Sequence, residues 1–230
     1  MVGVILTTFN MLDKTRECVA SLRRATTCPY DLIAVDNAST DGTCEFLDES
    51  GIEVMRNASP VHLSVALNQG LSRHLARPEI AHLCWIHNDM RFYPGWLEAL
   101  TGELESDPRI GKLAPHNILK EGRADEPFAL EFMAARRGER FTGNECPWIL
   151  PRHVVERVGL FDEGFLACGG YEDWDYNNRV LDAGYLVAIT RGSVVWHETM
   201  GTRKHVPQEA EARANAELYF AKWGQPEARV

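Results

Sequence analysis

The sequence predicts an α/β fold with a mostly parallel central sheet flanked by helices and a mixed C-terminal portion. Three observations carry this. Apolar runs at Val2–Thr8, Leu32–Val35, Ile52–Met55, Leu83–Ile86 and Ile110–Ala114 read as buried strands, because a strand covered on both faces shows no alternation. Segments of helical period separate these runs, so a strand–helix unit recurs at ~30 residues, the length of a βαβ crossover. Beyond about residue 116 that rhythm breaks, with no linker to mark a second domain.

The elements follow in order. After the first strand, Asn10 is placed to cap a helix whose Leu12, Cys18, Val19 and Leu22 share one broad apolar face. Leu32 to Val35 ends at Asp36, and the turn Ser39-Thr40-Asp41-Gly42 opens a helix through Cys44, Phe46 and Leu47. Ile52 to Met55 precedes a helix over Val65 to Leu75, stopped before Pro78. Leu83 to Ile86 ends at His87-Asn88-Asp89, and Pro94 suits the first turn of a helix carrying Trp96, Leu97, Leu100 and Leu104. Ile110 to Ala114 is the fifth strand. Gly122 to Gly143 is polar and irregular, with one strand over Phe128 to Met133 and a candidate lid between Lys120 and Gly143. A short helix (Pro151 to Val158), a longer one (Tyr171 to Ala183, closed by Gly184), strands at Leu186–Ile189 and Val194–Trp196, and a terminal helix (Gln208 to Trp223) complete the chain. Residues 1–230 therefore read as one fold: a ligand-binding half (1–116), a second half (117–205) and a C-terminal helix (206–230), which either packs on its own domain or pairs subunits in a homo-oligomer.

Composition narrows the function. The 230 residues are 45% hydrophobic and 25% charged, a globular mixture that excludes collagen-like and disordered chains. With 33 acids against 24 bases the formal charge is −9, which disfavours nucleic acid and leaves room for a small anionic substrate held with a metal's help. The six cysteines form no CxxC pair, and most have apolar neighbours. A reducing cytoplasm fits that usage. No apolar run reaches the ~18 residues of a membrane span, so the chain is expected to be soluble, at most peripheral at the inner membrane face.

In an open parallel sheet, ligands bind beyond the carboxyl ends of the strands. The residues there are Thr8-Phe9-Asn10, Asp36-Asn37, Asn57 and His87-Asn88-Asp89. His87 and Asp89 are two apart on an extended segment, so both side chains can address one hard divalent cation, which in turn can hold a diphosphate. Neither GxGxxG nor GxxxxGK occurs, which argues against a dehydrogenase and a P-loop enzyme. Gly169-Gly170-Tyr171-Glu172-Asp173-Trp174-Asp175 places three acids at a helix start, more than capping requires. Glu172 and Asp173 diverge by ~100° on a helix, so one can enter a cleft as a base while the other is held by the protein. His197 follows an apolar strand and gains value only if it faces Asp89.

These segments together resemble the family-2 glycosyltransferases of the GT-A, Rossmann-like fold. Val4-Ile5-Leu6-Thr7-Thr8-Phe9-Asn10 and Ile33-Ala34-Val35-Asp36-Asn37-Ala38-Ser39-Thr40-Asp41-Gly42-Thr43 are similar to the family's opening. Asn57 and Asn68-Gln69-Gly70 resemble its next segment, Trp85-Ile86-His87-Asn88-Asp89 stands at its DxD metal motif, and Val158-Gly159-Leu160-Phe161-Asp162-Glu163 with Gly170-Tyr171-Glu172-Asp173 resembles its G-x-F-D-E and E-D motifs. Order and spacing match over about residues 2 to 200.

The resemblance implies a nucleoside-diphosphate sugar donor, a sugar-containing or other hydroxyl acceptor, and Mn²⁺ or Mg²⁺. Thr8, Phe9, Asn10, Asp36, Asn68, His87 and Asn88 would line the donor nucleotide, with Asp36 on the base. Asp89 and His197 would ligate the metal; His87 replaces the family's more usual acid, which would either weaken the metal's hold or put the imidazole on a phosphate. Asp173, with Glu172 beside it, would be the general base of an inverting displacement. Trp148, Gly170 and Trp174 would meet the acceptor, although both tryptophans equally suit a core. A binding-only scaffold and a sugar nucleotidyltransferase are the alternatives. Intact Asp89, Asp173 and His197 oppose the first, and the absence of a Gly-rich basic loop after the first strand opposes the second.

Overall fold

The first strand, β1 (Val2–Thr8), lies in the sheet between β2 (Tyr30–Asp36) and β4 (His82–His87), parallel to both. The computed structural model describes residues 1–166, 170–198 and 209–224. Strand β3 (Glu53–Arg56) extends this parallel half. On the other side of β4 come β8 (Trp148–Pro151), antiparallel to its neighbours, then β6 (Ile110–Asn117), β9 (Leu186–His197) and β5 (Met90–Phe92). β6 and β9 are parallel; β5 and the two-residue β7 (Arg140–Phe141) run antiparallel to β9. The order β3-β2-β1-β4-β8-β6-β9-β5 makes one mixed α/β sheet.

Helices cover both faces, which is why the central strands are apolar throughout. Val4, Leu6 and Ile86 pack against α1 (Leu12–Ala25) and α4 (Trp96–Ser106). Ile5, Ile33 and Trp85 face α3 (Leu63–Leu75), α6 (Arg152–Val158) and α7 (Glu172–Asp182). α3 sits so close to β1 that a Cβ on Gly70 would lie 2.4 Å from Ile5 Cγ2. The short α2 (Thr43–Glu49) packs near β3.

Several expectations change. Asn10 adopts φ 56° and does not cap α1; Asp41 Oδ2 accepts from Leu12 N at 2.9 Å instead, reaching across from the following turn. The expected strand at Phe128–Met133 is helix α5 (Glu126–Ala135), because Asp125 caps Phe128 N at 3.1 Å and Pro127 stands in the first turn. The candidate lid thus starts within a 3₁₀ turn (Ile118–Glu121) and contains α5 and β7. The two expected strands after residue 186 are one strand, β9, whose partner register on β6 shifts between Pro115 and His116.

The terminal helix α8 (Glu209–Trp223) packs on its own domain. Tyr219 is fully buried and accepts from Asn178 Nδ2 at 2.8 Å, Asn215 bonds both backbone groups of Leu166, and Lys222 reaches Asp175 and Asp162. The described cysteines, Cys18, Cys28, Cys44, Cys84 and Cys146, are free thiols; Cys168 and Gly169 lie outside the described residues. Among the described residues no helix is long and apolar enough to cross a membrane.

Candidate active site

The carboxyl ends of β1 and β2 carry the first cluster. Thr8 and Asp36 are register partners, and Thr8 Oγ1 donates to Asp36 Oδ1 at 2.9 Å. Ser39 adds two bonds to the same carboxylate, from Oγ at 2.5 Å and from N at 3.0 Å. Asn10 N donates to Ser39 Oγ at 2.7 Å, and Asn10 Oδ1 accepts from Thr40 N at 2.8 Å. The polar strand ends thus knit two loops together. Asp36 is only 2% exposed, and through these bonds it organises the rim at which it is expected to meet a base. Phe9, which follows Thr8, is half-buried.

Asn68 and Asn88 differ from expectation. Asn68 bonds both backbone groups of Phe161 at 2.9 Å and donates to Glu163 at 2.9 Å, so it clamps the turn before α7 rather than a nucleotide. Asn88 is 3% exposed and donates to Asn10 O at 2.9 Å and Thr15 Oγ1 at 3.0 Å, fastening the β4–β5 turn to the first loop. An Asn carboxamide offers both donors and an acceptor, which suits it to such clamps.

Beyond β4 the sequence-predicted metal residues meet. Antiparallel pairing sets Met90 opposite His197, and Glu198 N donates to Asp89 O at 3.2 Å, so the end of β9 lies beside the β4–β5 turn. His87, Asp89 and His197 each bring one ligand atom, all within 4.8 Å of one another. Asp89 Oδ1 stands 3.4 Å from His197 Nε2, and the two imidazole rings are 5.2 Å apart. Burial pushes the Asp89 carboxyl up, but the His197 hydrogen bond and the nearby His87 and His197 outweigh it and hold the group below its ordinary value. A carboxylate with two imidazoles can hold a divalent cation, and its two nitrogen donors suit Mg²⁺, which prefers oxygen ligands, less well than a transition metal.

A second cluster forms where α7 begins. Glu172 is 4% exposed while Asp173 is half-buried, the divergence expected of adjacent helical residues. Asp173 Oδ1 accepts from Lys112 Nζ at 3.1 Å, and Cys146 Sγ lies 3.7 Å from Oδ2. Gly170, at φ 138°, makes the turn into this helix in a region L side chains rarely enter. Trp174 is half-buried against Tyr171. Trp148 is fully buried between Trp85 and Phe161, so its ring offers no face to an acceptor; the core alternative holds for it.

The clusters are linked by contact: Lys112 Nζ lies 5.3 Å from the Trp148 ring, Trp148 packs on Trp85, and Trp85 packs on His87 at 4.2 Å. Sequence reasoning missed Lys112 and Asn117. The signal for Lys112 was available, since a lysine inside the otherwise apolar Ile110–Ala114 needs a buried acceptor.

A mixed sheet of this order, flanked by helices on both faces, gives the chain the GT-A fold, shared with solved glycosyltransferase structures. The chain belongs to glycosyl transferase family 2, whose family model matches residues 3–146. A curated relative in two strains of Mycobacterium tuberculosis, N-acetylglucosaminyl-diphospho-decaprenol L-rhamnosyltransferase, is 22% identical over 94% of this chain and 82% of its own length. Among solved structures, the mannosyltransferase PcManGT from Pyrobaculum calidifontis, in complex with GDP-Man and Mn²⁺, is similar with a TM-score of 0.71 at 19% identity, over 96% of this chain and 63% of that one. GalNAc-T7 with UDP, GalNAc and Mn²⁺ is similar with a TM-score of 0.65 at 16% identity, over 86% of this chain and 43% of that one. The chain therefore spans less than two thirds of either protein, and these likenesses bear on the fold alone.

Proposed function

We propose that this glycosyltransferase moves a sugar from a nucleoside-diphosphate sugar to an acceptor hydroxyl in one inverting displacement, with a divalent cation at His87, Asp89 and His197. The carrying observation is the convergence of those three ligand atoms within 4.8 Å. Bound there, a divalent cation supplies Lewis-acid neutralisation of the leaving diphosphate. The Mn²⁺ in both structural neighbours supports the same choice of ion.

Asp173 serves as the base. Its Oδ1 is tied to Lys112, and its partly exposed carboxylate takes the proton of the acceptor hydroxyl. The acceptor oxygen then bonds to the anomeric carbon as the bond from that carbon to the diphosphate breaks, and the nucleoside diphosphate leaves. Positioned proton abstraction contributes ~10²–10⁴-fold. The Thr8–Asp36–Ser39 rim shapes the nucleotide side through the loops it holds, and Tyr171 and Trp174 stand on the acceptor side. The named relatives put L-rhamnosyl, mannosyl and N-acetylgalactosaminyl donors first in any screen, and a lipid-linked sugar diphosphate among the acceptors.

The test is a thermal-shift panel of UDP, GDP, dTDP and CDP with and without Mn²⁺, followed by proton NMR of the product formed from the best donor. A ligand at 100 times its Kd stabilises by roughly 2.7 kcal/mol, which such an assay resolves. A metal-dependent shift and a product of inverted anomeric configuration are expected. A metal-independent shift removes the metal assignment, and retained configuration removes the single displacement.

A further inference from the structure

The peptide of His197 is held by a side chain that neither the sequence motifs nor the proposed chemistry includes. β6 and β9 pair in parallel as far as Asn117 opposite Val195, after which β6 turns into the 3₁₀ turn at Ile118–Glu121. Two residues further along β9, the Asn117 carboxamide takes over from the lost main-chain partner. Its Nδ2 donates to His197 O at 3.1 Å, and its Oδ1 accepts from His197 N at 3.3 Å and from Leu119 N at 3.2 Å.

Asn117 is itself held. It is 6% exposed, and its N–H donates to Glu145 Oε2 at 2.9 Å. Glu145 is also paired with Lys120. The neighbours of Glu145 on either side touch the other cluster, since Asn144 accepts from Lys112 Nζ at 3.1 Å and Cys146 contacts Asp173. One short strap thus braces both the His197 side and the Asp173 side of the site.

We propose that Asn117 is a positioning residue for His197: by bonding both backbone groups of that residue it fixes the direction in which the imidazole leaves β9, toward Asp89 and His87. The inference rests on the reading that these three residues hold a divalent cation. Partners that orient a ligand typically contribute 10–100-fold to metal affinity, because a ligand free to swing must be ordered at each binding event.

The experiment is titration of the intact chain with Mn²⁺, alone and with UDP, GDP or dTDP, followed by the electron paramagnetic resonance of free Mn²⁺. Asn117→Ala should weaken Mn²⁺ binding about tenfold or more. Asn117→Asp, which keeps the acceptor for His197 N–H and loses the donor, should retain part of the affinity. Ser193→Ala removes a buried bond to Trp96 O on the same strand without touching His197, and should leave the affinity unchanged. Asp89→Asn should abolish binding.

Asn117→Ala with wild-type affinity, beside a dead Asp89→Asn, overturns the role of Asn117 and leaves the metal site standing. Equal weakening by Ser193→Ala overturns it as well, by showing that any loosening of β9 suffices. Full affinity in Asp89→Asn, or no Mn²⁺ binding by the unaltered chain, removes the metal site and the inference together.

Discussion

Lys112 Nζ donates to Asp173 Oδ1 at 3.1 Å from a position only 1% exposed. Its other two acceptors are Asn177 Oδ1 at 2.8 Å and Asn144 Oδ1 at 3.1 Å, which together match the three donors of an ammonium. Asp173 is the carboxylate of this set, so each ion answers the other's charge. On the second oxygen of Asp173, burial and the carboxylate's own charge push the Cys146 thiol well up, keeping it a neutral donor.

Breaking such a buried pair from one side leaves the partner uncompensated, typically at a cost of 3–5 kcal/mol, or about 3 here because Asp173 retains some water. Lys112→Met should therefore lower stability in urea by about that amount. The double variant with Asp173→Asn should lose clearly less than the sum of the two single changes. Strict additivity would show that the pair is not coupled.

Asp173→Asn keeps the shape of the side chain and removes the proposed base. Sugar transfer should fall by ~10²–10⁴-fold, while the thermal shift produced by the donor nucleotide stays as in the unaltered chain. Loss of that shift alongside activity would move Asp173 into donor binding.

Gly70 is required by the approach of α3 to β1. A methyl group there meets Ile5 Cγ2 at 2.4 Å, inside a core that cannot yield without moving a helix or a strand. Gly70→Ala should destabilise by about 1–3 kcal/mol, against the stabilising sign usual for this change in an exposed helix. Calorimetry showing a raised Tm would contradict this close packing of α3 on β1.

The Lys222 hydrogen bond, opposed by partial burial and helped by Gly164 N–H, holds Asp162 below the usual carboxylate range. A depressed folded value means that the group stabilises the fold above its ordinary pKa of about 4 and loses that contribution as the pH falls through the lower folded value. The Tm difference between the unaltered chain and Asp162→Asn should accordingly be constant near neutrality and shrink toward pH 2. A difference that grows on acidification would reverse the sign assigned to this pair.

The central strands were legible because Val4, Ile5 and Leu6 are apolar on both faces of the sheet, and their runs recur at the spacing of strand–helix units. Glu126–Ala135 was misread because Phe128 to Met133 is a six-residue, mostly apolar stretch, too short for periodicity to separate strand from helix. The deciding signals were Asp125 and Pro127 at its start. Asn10, Asn68 and Asn88 were found as polar strand-end or motif residues, yet their partners Thr40, Phe161 and Thr15 lie on other segments, so their clamping roles could not be read locally.

The sequence by itself determined the alternation of strands and helices through β6 apart from the short β5, the resemblance to the family and the candidate groups His87, Asp89, His197 and Asp173. Tertiary structure decided which of them meet. Antiparallel pairing of Met90 with His197 carries the histidine to Asp89, and placing β8 between β4 and β6 buries Trp148 and sets Lys112 beneath Asp173. Local propensity governs residues a few positions apart, whereas these contacts depend on which strands share a sheet, a choice settled by burying both faces of that sheet at once.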